Sequence, residues 1–151
     1  MTHVFSGCEL CEQGDGEIPG GEVLYRNEKL RVLLIEDANY PGFCRVIWHD
    51  HVSEMTDLAP IDRSLLMRTV CQVESALREV MQPHKINLAS LGNMVPHMHW
   101  HLIPRYTDDV HFPHPIWAVP QRATDPAILA QRRNLLPALR AAVIKHASCD
   151  A

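Results

Sequence analysis

Residues 92–106, GNMVPHMHWHLIPRY, set three histidines, His97, His99 and His101, two residues apart among apolar neighbours. The alternation predicts a long strand over 95–105, and on a strand every second side chain faces the same way. His97, His99 and His101 then share one face, and Met98, Trp100 and Leu102 share the other. Three imidazoles are poor core material, because each brings ring nitrogens that need partners when buried. Two chemistries fit them. In one, the imidazoles share a catalytic metal ion. In the other, a histidine is the nucleophile and its neighbours position an anionic substrate; an imidazole with an ordinary pKa of about 6.5 is neutral near pH 7. Spacing alone leaves both open.

Outward from this stretch, INLAS at 86–90 reads as a short strand and LGN as a turn. Leu66, Val70, Val73, Leu77 and Val80 recur at helical steps, with Pro60 suited to a first turn and Pro83 as terminator, so a helix is expected over about 59–82. Further upstream, Val23–Tyr25 and Val32–Ile35 form a hairpin joined by Arg26-Asn27-Glu28-Lys29, and NYPG at 39–42 turns the chain into a third strand, FCRVIW at 43–48. Downstream, residues 107–123 read as an ordered loop. The stretch from Thr124 reads as a terminal helix, capped by Thr124 or Asp125 and broken or kinked at Pro137. The fold class is α+β: an antiparallel sheet of about five strands, one long internal helix and a C-terminal helix.

The chain has 151 residues, 46% hydrophobic and 21% charged, with a net charge of -4. That length suits one domain over 1–151. The absence of any basic run argues against a nucleic-acid polymer as partner, but leaves nucleotides open as ligands. The beginning, MTHVFSGCELC, shows no signal segment, and no apolar run approaches the roughly 20 residues that span a bilayer. Five cysteines without a secretion signal argue against a disulfide framework and for a cytoplasmic location.

The neighbours of the histidines point to one chemistry. His97-Met98-His99-Trp100-His101-Leu102-Ile103, preceded by Gly92 and followed by Pro104-Arg105, resembles the signature of the histidine triad (HIT) superfamily position by position. YPGFCRVIWHDHVSEMTDL upstream is similar to the family's Pro-Gly turn, strand and His-Val stretch. The resemblance spans roughly 8–106, and the loop and helix of 107–151 match it only loosely.

The resemblance implies a HIT-like fold, a homodimer with sheets continuous across the interface, and hydrolysis or transfer of nucleotides through a covalent nucleotidyl-histidine. His99 takes the position of the nucleophile, His101 that of the phosphate and leaving-group donor, and His97 that of a supporting or zinc-binding residue. Attack on a polyphosphate needs a neutral nucleophile and donors around the phosphate oxygens, which this set supplies. A backbone carbonyl on an adjacent segment is expected to fix the His99 tautomer. Asn87, Asn93 and Asp37 are candidate substrate contacts; for Asp37 a plain strand-end turn is the competing reading. Asn93-Met94 departs from the commoner Gln-Ser, so the usual hydroxyl at position 94 is missing. Dinucleoside polyphosphates such as diadenosine tetraphosphate are the leading substrate class, followed by nucleoside phosphoramidates. A metal-dependent hydrolase and a non-catalytic nucleotide-binding module are the rival readings.

Cys8-Glu9-Leu10-Cys11 is a C-x-x-C pair, open on its own to redox, metal-binding or incidental readings. The resemblance implies a structural zinc on Cys8, Cys11, His51 and His97, with His49 as the substitute for His51, and no organic cofactor. Cys2His2 is a closed tetrahedral set, with Zn–S near 2.3 Å. Trp117 is expected in the core, His111 and His114 in solvent, and Arg132-Arg133 on a solvated face.

Overall fold

The computed structural model describes residues 5–14 and 16–149; residues 1–4, on which part of the signal-segment expectation falls, lie outside the described residues. Five strands form one antiparallel sheet in the order β1-β2-β3-β5-β4. They are β1 (Gly21–Arg26), β2 (Leu30–Ile35), β3 (Cys44–Trp48), β4 (Lys85–Ala89) and β5 (His99–Arg105). The helices are α1 (Glu9–Glu12), α2 (Pro60–Met81), α3 (Pro126–Arg133) and α4 (Leu136–Ala147). The α+β architecture expected from the sequence is therefore present.

Local chemistry explains the boundaries. Arg26 belongs to β1 and pairs with Arg31, so the hairpin turn is the shorter Asn27–Lys29. The Asn27 side-chain oxygen accepts from the Lys29 and Leu30 amides at 2.8 and 3.0 Å, which fixes the turn without Arg26. Pro60 opens α2, and Gln82 closes it in the left-handed conformation just ahead of Pro83. Leu66, Val70, Val73 and Leu77 are fully buried as the periodicity requires. Val80 is only partly buried, and Met81 takes the last core position. Pro137 divides the terminal helix into α3 and α4, sitting itself in the first turn of α4, where its missing amide costs nothing. Asp125 is the cap of α3, its carboxylate accepting from the Ala127 amide at 2.8 Å.

The long histidine strand is shorter than its alternation predicts. β5 starts at His99, because Pro96 has no amide to give a ladder and the His97 amide turns back to the Val95 carbonyl. Met98 still donates to Val52 and accepts from Trp48, so the alternation continues through this irregular segment.

The two faces of the sheet differ. One packs Val32, Leu34, Val46, Trp48, Met98 and Leu102 against α2, with α4 completing the layer. The other carries the histidines, with Leu33 and Ile47 under α1 and Phe43 and Ile103 beside Tyr40. Gly42 turns the chain into β3 at a φ of +94°, where a Cβ would lie 3.2–3.4 Å from Met81. No helix among the described residues is long and apolar enough to cross a membrane.

Candidate active site and metal centre

His99 and His101 lie on one face of β5, and His97 lies on the same side just before it. All three are buried. The His99 Nδ1–H donates to the His97 carbonyl at 2.6 Å, which leaves Nε2 with its lone pair. The carbonyl that fixes the tautomer thus comes from the triad segment itself, two residues back, and not from an adjacent segment. Ser90, at the end of β4, donates its hydroxyl to the His99 carbonyl at 2.9 Å and holds the same peptide.

Burial lowers the His99 pKa below its ordinary value, the charge of Arg45 adds to this, and the bond to the His97 carbonyl works against it. Burial pushes His101 down to about 3, aided by His99 and Arg45. Both rings are therefore neutral at pH 7. The His101 ring stacks on Phe43 at 5.8 Å and meets Trp117 edge-on at 5.2 Å. Its Nδ1 is buried with no hydrogen-bond partner among the described residues.

His97 points its two nitrogens to different tasks. Nε2–H donates to the Trp48 carbonyl at 2.6 Å, which leaves Nδ1 as an acceptor facing Cys11 Sγ at 3.3 Å and Cys8 Sγ at 3.6 Å. His51 Nδ1 lies 3.4 Å from Cys11 Sγ. The one-turn α1 brings both cysteines inward. Ligand atoms of Cys8, Cys11, His51 and His97 all lie within 4.8 Å of one another, so the four could hold a metal ion. The donor set fits a soft divalent ion, and a carbonyl behind the His97 imidazole is the usual orienting partner of a metal-bound histidine. Burial pushes the Cys11 thiol up, as does Cys8 beside it, and a bound cation reverses that preference. His49 is elsewhere, its Nδ1 3.2 Å from the Glu28 carbonyl. Among the described residues His97, His99 and His101 do not form such a metal-holding group.

The other candidates are spread more widely. Asn87 faces the triad side of β4, but its side-chain oxygen accepts from Arg105 at 2.7 Å. Asp37 forms the strand-end turn, accepting from the Asn39 and Tyr40 amides, and lines a separate cavity of about 410 Å3 with Arg133 and Arg140. Asn93 and Met94 sit exposed on the turn after Gly92, Met94 at 94%. A depression of about 340 Å3 lined by Ser53, Thr56, Ser90 and Gly92 reaches His99 from the side of Met98 and Trp100, and the Ser90 hydroxyl there is already donated to the His99 carbonyl.

Trp117 is 52% exposed over His101 and not in the core. His111 is not a solvated loop residue: its Nδ1 lies 2.6 Å from the Tyr40 hydroxyl and its ring stacks on Tyr40. Exposed His114 lends its carbonyl to Arg105. Arg132 lies over the Tyr106 ring and pairs with Asp108, leaving only Arg133 on the solvated face. Sequence reasoning missed Ser90, which carried no signal, and Arg45, which did: it is the lone charge in the apolar run FCRVIW and has the triad's facing.

Comparison with known proteins agrees with this geometry. The model of the HIT domain family matches residues 16–108. The chain belongs to the HIT domain family. A histidine triad protein from Bradyrhizobium japonicum is 34% identical, with a TM-score of 0.68 over 82% of this chain and 91% of its own. An AP-4-A phosphorylase from Mycobacterium tuberculosis is 28% identical over 77% of this chain and 61% of its own length. An asymmetrical bis(5'-nucleosyl)-tetraphosphatase from Schizosaccharomyces pombe is 28% identical over 60% of this chain and 52% of its own. The HIT chain thus spans just over half to three fifths of the curated relatives it matches.

Proposed function

We propose that this protein cleaves nucleotide phosphoanhydrides, with dinucleoside polyphosphates such as diadenosine tetraphosphate as substrate class. The supporting observation is the His99 Nδ1–H bond to the His97 carbonyl, which aims the Nε2 lone pair outward from a buried, neutral ring. In the first step Nε2 attacks the α-phosphorus, an N–P bond forms, and the P–O bond to the remaining polyphosphate breaks with its electron pair on the departing oxygen. The proton stays on Nδ1 and is donated to the His97 carbonyl, which steadies the positive ring of the nucleotidyl-histidine. His101 faces the phosphate oxygens as a hydrogen-bond partner. Water or another acceptor then takes the nucleotide and frees His99. The names of the curated relatives support the substrate class.

Cys8, Cys11, His51 and His97 are the residues that would hold a structural zinc, which would supply a tetrahedral crosslink between α1, the β3 exit and the triad. A homodimer along β4 is part of the proposal: β4 is an edge of the sheet, and Leu88, Leu91 and Met94 are exposed beside it. The test is turnover of diadenosine tetraphosphate by wild type and His99→Ala, with products separated chromatographically. Loss of a nucleophile costs on the order of 10^4-fold or more in kcat; a variant within tenfold of wild type contradicts the assignment.

A further inference from the structure

Arg45 stands out among the cations of this chain. It lies at the centre of β3, directly across the ladder from His101, and so projects from the same face. Its guanidinium carbon is 5.5 Å from the Phe43 ring, and that ring in turn stacks on His101. The guanidinium thus lies against Phe43 on the face of the sheet that carries the triad. Its Nε is buried without a hydrogen-bond partner, and no ion pair includes Arg45 among the described residues. Arg105, Arg132 and Arg140 each grip a carboxylate at 2.7–2.8 Å. Burial lowers the Arg45 pKa, while the charge of Glu9 on α1 partly offsets this. A half-buried guanidinium with no carboxylate partner among the described residues is costly unless an anion joins it.

We infer that Arg45 forms an anion subsite beside His101 that takes a phosphate group of the substrate other than the one under attack. This rests on the proposed function and sharpens it. A departing polyphosphate carries the negative charge that an arginine fork binds through paired hydrogen bonds. A phosphoramidate, whose leaving group is an amine, brings no second phosphate. The subsite therefore selects polyphosphates over phosphoramidates, and it assists departure by offsetting charge on the oxygen that keeps the P–O electron pair.

The experiment measures binding of inorganic tripolyphosphate by calorimetry to the full chain, as wild type, Arg45→Ala and Arg45→Lys, with thermal melting to verify folding. Charge-assisted hydrogen bonds of this type correspond to about ten- to hundredfold in affinity. Expected is a loss of that size in Arg45→Ala and partial retention in Arg45→Lys. In turnover, the loss in Arg45→Ala on diadenosine tetraphosphate should exceed that on adenosine 5'-phosphoramidate by about tenfold or more. Unchanged tripolyphosphate affinity in folded Arg45→Ala overturns the subsite, as does an equal loss on both substrates. Tripolyphosphate binding that needs Arg45, in a protein that cleaves neither substrate, upholds the subsite and refutes the proposed reaction instead.

Discussion

The two ends of β5 are fixed by opposite means. Before its first residue, His97 joins Cys8, Cys11 and His51, groups brought together from 40 to 89 positions apart in the chain. At its last residue, Arg105 binds Asp109 four positions on, through Nε at 2.7 Å and Nη2 at 3.0 Å. Arg105 also donates to Asn87 and to the His114 carbonyl, and Asp109 accepts from the Tyr106, His111 and Phe112 amides. Burial alone would raise the Asp109 carboxyl, but Arg105 and these amides hold it below the usual range. The second end is complete in itself, whereas the first is a donor set suited to an ion from outside. His99 and His101 lie between a completed ion pair and a donor set that could hold a metal ion.

The largest effect should come from breaking the self-sufficient end. Asp109→Ala leaves a buried guanidinium without its carboxylate, which costs about 3–5 kcal/mol. Urea denaturation should show that loss, and a loss under about 1 kcal/mol would mean the pair is not what holds this end.

The conditional end should respond to metal and not to urea alone. Metal analysis of protein prepared with zinc should give about one ion per chain in wild type and near none in Cys11→Ala. Saturating zinc should stabilise wild type by about 3 kcal/mol or more and leave the variant unmoved. Equal stabilisation of both places the ion elsewhere.

A smaller, graded effect should follow from acid. The folded pKa values of His99 and His101 are lowered, the latter to about 3, so between pH 6.5 and those values the unfolded chain binds more protons. Stability contributed there is full above pH 6.5 and declines as pH falls. Asp109, also lowered, keeps its contribution above about pH 3.9 and loses it only below. Hydrogen exchange at pH 5 should thus open the His99–His101 segment ahead of the Arg105 end; simultaneous opening would remove the distinction.

Sequence and structure part company along similar lines. The facing of His99 and His101, the C-x-x-C pair, the long helix and the break at Pro137 were legible, since each is written in local periodicity or backbone chemistry. The choice of His51 over His49 was legible only through the family resemblance, because the chain leaves β3 at Trp48 and alternation stops deciding which side a histidine faces. The structure gathers His51 with Cys8, Cys11 and His97. Trp117 and His111 were misplaced for another reason: a loop lacks periodicity, and the Tyr40–Asp109–His111 contacts that order it span about 70 residues. Arg132, on α3, is drawn to Asp108 and the Tyr106 ring, which are distant in sequence. Arg45 was visible as an odd charge but had no meaning until the ladder set it across from His101.

The central claim, that His99 is the nucleophile, is tested most directly by intact-protein mass spectrometry after rapid mixing with excess diadenosine tetraphosphate and a quench without acid. Wild type should gain the mass of one adenylyl group, and His99→Ala, folded by its melting curve, should gain none. Turnover by wild type with no adduct on a timescale shorter than kcat, or an adduct that persists in His99→Ala, would contradict the account.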